Sequence, residues 1–152
     1  MHTKKTLFVD MDDVICDYRS SYLCYREKNP NIKYPQSCRG FFENLEPLEG
    51  AIESVNTLRN HSEYETYILT APSVKNIASY SAKRYWVEKY FGLEFTDRLI
   101  ICSHKGLMRG DVLIDDNISG KGQESFQGEL IHFGSVHYPN WEAVMTCLLK
   151  QV

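Results

Sequence analysis

Six aspartates stand in two short clusters, Asp10, Asp12, Asp13 and Asp17 near the start of the chain and Asp115 with Asp116 far along it. A carboxylate closing a buried strand can serve as nucleophile, acid/base or metal ligand. Residues 10 and 12 project to the same side of an extended chain, and a turn there brings Asp12 over the same pocket. A solvated acidic loop would account for one cluster. It does not account for two, each following a short apolar run. Like charges gathered at one edge raise each other's pKa unless a cation neutralises them. All-oxygen donors favour a hard cation, and few carboxylates with room for water and phosphate favour Mg2+ over Ca2+. No twelve-residue calcium-loop pattern is present. Thr70 and Lys105 add a hydroxyl and an ammonium, the groups needed to hold a phosphoryl in line with an attacking carboxylate. Taken singly, they read as a turn or N-cap threonine and a surface lysine.

Elements able to hold these groups are legible around them. Thr6–Val9 is a continuous apolar run stopped by acids, as expected of a strand buried on both faces. Tyr64–Leu69, Leu99–Cys102, Val112–Ile114 and Leu130–Phe133 are further strand candidates. Helices are expected over Asp17–Lys28, Pro47–Asn60 and about Val74–Phe91, the last ended by Gly92. Trp141, Val144, Met145, Leu148 and Leu149 mark an amphipathic final helix. Alternating strands and helices predict an α/β fold, a Rossmann-like parallel sheet with helices on both faces. In such sheets ligands bind at the carboxyl ends of the strands. Three of the expected strands end at Asp10, Thr70 and Asp115-Asp116, which places the reactive groups on one edge.

The chain has 152 residues, 43% apolar and 24% charged, with a formal charge of −3. That size suits one compact domain with a small lid. The charge gives no basic field for nucleic-acid polymers or acidic membranes. Five cysteines, an odd number without CxxC spacing, read as free thiols of a reducing cytosol. The first residues are charged, and the apolar run after them is too short for a signal peptide, so a cytoplasmic protein is expected.

Val9-Asp10-Met11-Asp12-Asp13-Val14, Leu69-Thr70, Lys105 and Asp111-Val112-Leu113-Ile114-Asp115-Asp116 together resemble the four motifs of the haloacid dehalogenase superfamily. They occur in order over nearly the whole chain. More narrowly, Asp10–Val14, Leu45–Ala51, Trp86–Gly92 and Leu113–Asp116 resemble the 5′(3′)-deoxyribonucleotidases. The resemblance implies that Asp10 attacks phosphorus to give an aspartyl-phosphate. It implies that Asp12 protonates the leaving alkoxide and then activates water. Mg2+ would bind Asp10, the Asp12 carbonyl and Asp116, with Asp115 assisting. Thr70 and Lys105, with Met11 and Ala71 beside them, would bind the phosphate. Domain bounds follow: a catalytic core over 1–16 and 47–152, and a short helical cap inserted at 17–46. The substrate implied is a small-molecule phosphate monoester, a (deoxy)nucleoside monophosphate, and a homodimer is compatible with the chain.

The cap is shorter than in those relatives. It carries Tyr18, Phe41 and Phe42, which can stack on a base or fill the cap's own core. Lys75, in the loop after Thr70, is a candidate phosphate or sugar contact. A phosphatase of another metabolite, such as a sugar phosphate, remains the alternative. A phosphorelay receiver would place its acceptor aspartate on a middle strand before the threonine, which this order does not do. A non-catalytic binding protein would not be expected to keep every chemical position filled.

Overall fold

The apolar runs ending in acids become the central strands of a parallel sheet. The structure, a computed structural model, describes residues 3–150. Strands β1 (Lys5–Val9), β2 (Tyr64–Thr70), β3 (Leu99–Ile101), β4 (Val112–Asp115) and β5 (Glu129–His132) lie in the order β3-β2-β1-β4-β5. Every neighbouring pair is parallel. The α-helices among the described residues are α1 (Tyr18–Lys28), α2 (Ala51–Asn60), α3 (Ser79–Phe91) and α4 (Trp141–Lys150). Val9 is in register with both Ile68 and Ile114. The ends of β1, β2 and β4 are therefore level, and Asp10 donates its backbone N–H to the Ile114 carbonyl at 2.9 Å.

The two faces of this sheet are covered unequally. Leu7, Val9, Ile68 and Ile114 face a large core completed by Val55 and Leu58 of α2, Trp86 and Val87 of α3, and Val144 and Leu148 of α4. Tyr18, Tyr22 and Tyr25 of α1 pack against the same core. On the opposite face Phe8, Leu69 and Leu113 are covered by Met108, Phe126 and other half-buried residues. The connections on that side carry only the 3-10 turns Lys105–Leu107 and Gln123–Ser125. The expected α/β sheet is present, but one of its faces is roofed by short turns rather than by α-helices.

Two helices begin later than their apolar patterns suggest. Pro47 and Leu48 are drawn into extended pairing with the segment after β1, with Leu48 N–H bonded to the Ile15 carbonyl at 2.9 Å. Gly50 then turns in the left-handed region at φ 75°, and α2 starts beyond it. Before α3, residues 74–78 form turns in which Asn76 N–H meets the Ser73 carbonyl and Ser79 Oγ donates to the same oxygen. Two tryptophans then pin segments that flank the acidic edge. Trp86 donates to the Leu45 carbonyl and Trp141 to the Val14 carbonyl, each at 2.7 Å.

Candidate active site

Asp10 immediately follows the central strand and is 6% exposed. Lys105, buried on its 3-10 turn, bridges two acids, with Nζ 2.8 Å from Asp10 Oδ1 and 2.6 Å from Asp115 Oδ2. The fully buried Asp115 also accepts the Asn117 N–H at 2.9 Å and the Gln123 side-chain amide at 3.3 Å. His132 Nε2 lies 3.0 Å from the Asp116 carbonyl. The chain after β1 doubles back because Met11's carbonyl accepts the N–H groups of Val14, Ile15 and Cys16. Asp13 completes the turn at φ 58°, a conformation that aspartate tolerates better than most residues, and its carboxylate accepts the Arg19 N–H.

Oxygens of Asp10, Asp115 and Asp116 lie within 4.8 Å of one another. Burial, opposed by Lys105 and reinforced by Asp115, raises the Asp10 carboxyl to about 6. Burial, then Asp10 and Asp115, raises Asp116 to about 8. The single Lys105 ammonium offsets only part of the gathered negative charge, and the donor set is all oxygen. The residues therefore fit a hard divalent cation.

Asp12 is turned away from this cluster. Its Oδ2 pairs with Lys83 Nζ at 2.9 Å, and the same ammonium donates to Thr70 Oγ1 at 2.9 Å. Among the described residues no backbone donor is bound to the Asp12 carbonyl. The Asp12 carboxylate is not among the oxygens gathered with Asp10, Asp115 and Asp116. Lys83 is fully buried on α3, and the Phe42 ring centroid lies 4.6 Å from its Nζ. Sequence reasoning missed it because a helical lysine reads as solvated. The available signal was its place on the buried stripe Ser79, Ala82, Lys83, Trp86, Val87. Gln123 was missed for a similar reason, its role being visible only once the 116–123 loop folds back over Asp115.

A cavity of about 640 Å³ opens over the site. Asp10, Asp12, Asp116 and Lys105 form part of its floor, and Ala71 and Lys75 line one side. Tyr18, Tyr34, Gln36 and Phe42 line the side of segment 17–46. Thr70 is not among the lining residues; its hydroxyl is buried beneath the floor. Met11 is 1% exposed with its side chain in the core, so what it can offer a ligand is backbone. Phe41 does not line the cavity either. It is 5% exposed, set edge-on to Tyr18 and to Phe42.

The α/β fold is shared with a haloacid dehalogenase-like family hydrolase from Xanthomonas campestris. The two share a TM-score of 0.66 over 99% of this chain and 96% of that one, at 9% identity. The sequence profile of the family described as 5′ nucleotidase, deoxy (pyrimidine), cytosolic type C matches residues 27–145. A Vibrio phage KVP40 protein, provisionally named a 5′(3′)-deoxyribonucleotidase, is 37% identical over 97% of this chain and 86% of its own length. The human cytosolic-type 5′(3′)-deoxyribonucleotidase is 33% identical over 71% of this chain, which spans 48% of it. The 5′(3′)-deoxyribonucleotidase of Bacillus subtilis is 28% identical over 96% of this chain. The chain belongs to the 5′ nucleotidase, deoxy (pyrimidine), cytosolic type C family, and so to the phosphoric monoester hydrolases. Among the described residues no helix is long and apolar enough to cross a membrane.

Proposed function

We propose that this protein is a Mg2+-dependent 5′(3′)-deoxyribonucleotidase that hydrolyses (deoxy)nucleoside monophosphates through an aspartyl-phosphate on Asp10. The observation that carries the reading is the division of labour between two acids two residues apart. Asp10 sits in the acid cluster against Lys105, while Asp12 is held out of it by Lys83. One carboxylate is thus kept for attack and the other for proton transfer.

Asp10 attacks phosphorus, and the bond to the leaving oxygen breaks. Asp12 gives that oxygen a proton and afterwards takes one from the water that cleaves the acyl phosphate, releasing inorganic phosphate and restoring Asp10. Lys105 offsets charge on Asp10 and on the phosphoryl oxygens, and is held for this by Asp115. Thr70 acts from below the floor by fixing Lys83, and Ala71 faces the phosphate. Asp10, Asp116 and the Asp12 carbonyl would hold Mg2+, with Asp115 assisting. When bound, the ion neutralises the gathered carboxylates and the charge that develops on the phosphoryl group. Segment 17–46 is the cap, and its walls with Lys75 would contact the nucleoside.

A phosphate-release screen over deoxynucleotides, ribonucleotides and sugar phosphates, with Mg2+ and with excess chelator, tests this reading. Deoxynucleotides should lead, and chelation should abolish release. Full activity in chelator, or a sugar phosphate preferred over every nucleotide, would overturn it.

A further inference from the structure

Gln36 lies on the 3-10 turn Pro35–Ser37 and lines the cavity above the acids. Its Oε1 is buried and has no hydrogen-bond partner. Buried polar atoms are nearly always paired, so each exception calls for a reason. Four side-chain atoms are in this state among the described residues, on Gln36, Glu43, Asn56 and Thr66, and only Gln36 belongs to a residue lining the catalytic cavity. The amide oxygen is thus buried without a partner, while the residue still borders the cleft.

What surrounds Gln36 selects its partner. The acids and Lys105 line the end of the cavity where a phosphate belongs, and Gln36 lines the same cavity with the rings of Tyr18, Tyr34 and Phe42, Lys75 Nζ lying 5.5 Å from the Tyr34 centroid. Those rings offer flat apolar walls for a planar ring system. A primary amide is a neutral donor–acceptor pair. It complements the donor and acceptor that sit side by side on the edge of a nucleobase, whereas an anion would call for a cation.

Resting on the nucleotidase reading above, we infer that Gln36 is a specificity-determining residue that hydrogen-bonds the edge of the nucleobase, supplying the partner its side chain lacks. The phosphate would then be held by the sheet edge and the base read by one residue of the inserted segment.

The test compares the wild type with Gln36→Leu and Gln36→Glu on dUMP, dCMP, dAMP, dGMP and deoxyribose 5-phosphate, which has no base. Gln36→Leu should lower kcat/KM for the preferred deoxynucleotide by about 10-fold or more. The loss should fall chiefly on KM, and the baseless sugar phosphate should be turned over as before. Gln36→Glu, which keeps an acceptor of the same reach, should change the order of the four nucleotides rather than level it. The melting temperature of Gln36→Leu should hold or rise, since a partnerless buried carbonyl is removed; a purely structural role would lower it. Equal losses on nucleotides and deoxyribose 5-phosphate, or unchanged base selectivity in both variants, would overturn the assignment while leaving the nucleotidase reading intact. A wild type that hydrolyses no nucleotide would remove both.

Discussion

The floor of the cavity and its aromatic wall are built on different physics. On the floor the interactions are ionic: Lys105 pairs with Asp10 and Asp115, Lys83 with Asp12, and Asp116 is crowded against the first two acids. The wall holds aromatic rings and one amide with an unmatched oxygen. Buried ion pairs are costly to break one partner at a time, which makes the floor an all-or-none device. Apolar contacts on the wall are graded, so that region can change substrate without dismantling the chemistry.

The sharpest way to break the comparison is at Asp10. Asp10→Asn should lower turnover on the order of 10⁴-fold or more, for every substrate alike, because an amide is a poor phosphoryl acceptor. Phosphate release on a nucleotide and on a small aryl phosphate checks this. Substantial residual activity would place the nucleophile elsewhere.

Next comes Lys83→Met, which keeps the volume of the side chain while freeing Asp12 and Thr70. Turnover should fall roughly 10²-fold, the low end of what a positioned acid/base contributes. The loss should lie in kcat rather than KM, because Asp12 loses the ammonium that positions it. A change in KM alone would show that Lys83 serves binding.

The floor also predicts how stability responds to pH without a cation. Asp10 and Asp116 are raised to about 6 and about 8, so the folded chain holds protons there that the unfolded chain, near 3.8, has released. Stability of the metal-free protein should therefore be greatest below about pH 4 as far as these two groups decide it, and decline from there to about pH 8. Added Mg2+ should recover most of the loss at the upper end of that range. Thermal melts at several pH values, with chelator and with Mg2+, measure both effects. A metal-free protein whose stability is flat from pH 5 to 8 would contradict the crowding of these acids.

The smallest effects on chemistry belong to the wall. Phe41→Ala empties a site within the inserted segment and should cost about 3 kcal/mol, or roughly 6–12 °C in Tm. It should lower activity on nucleotides and on a small aryl phosphate equally. Phe42 lines the cavity, so Phe42→Ala should in addition weaken nucleotide turnover more than turnover of the aryl phosphate. Identical substrate profiles for the two variants would remove the distinction between them.

What could be read in the sequence follows the same division. Strand ends and acids were legible because a short apolar run stopped by Asp10 or Asp115 states its burial and its edge together. The late starts of α2 and α3 were not, because Leu48 and Asn76 are claimed by tertiary hydrogen bonds that outweigh local preference. Lys83 was invisible because its partners are 71 and 13 residues away. Phe41 and Phe42 are adjacent and alike in type; only the packing shows that one faces inward and the other borders the cavity.

The uneven roofing of the sheet has a consequence in time. Lys105 and Gln123 both ride on the side closed only by short turns, and these turns are clasped together: a Cβ on Gly106 would come within 2.7 Å of the Gly122 carbonyl. Such a clasp opens by local fluctuation, without disturbing the helices on the far side. Amide hydrogens of 105–107 and 123–125 should thus exchange with solvent well before those of Leu7 and Val9, and filling the acid cluster with Mg2+ should slow the first group and leave the second unchanged. The strand that presents Asp10 would then keep still while the lysine paired with it breathes.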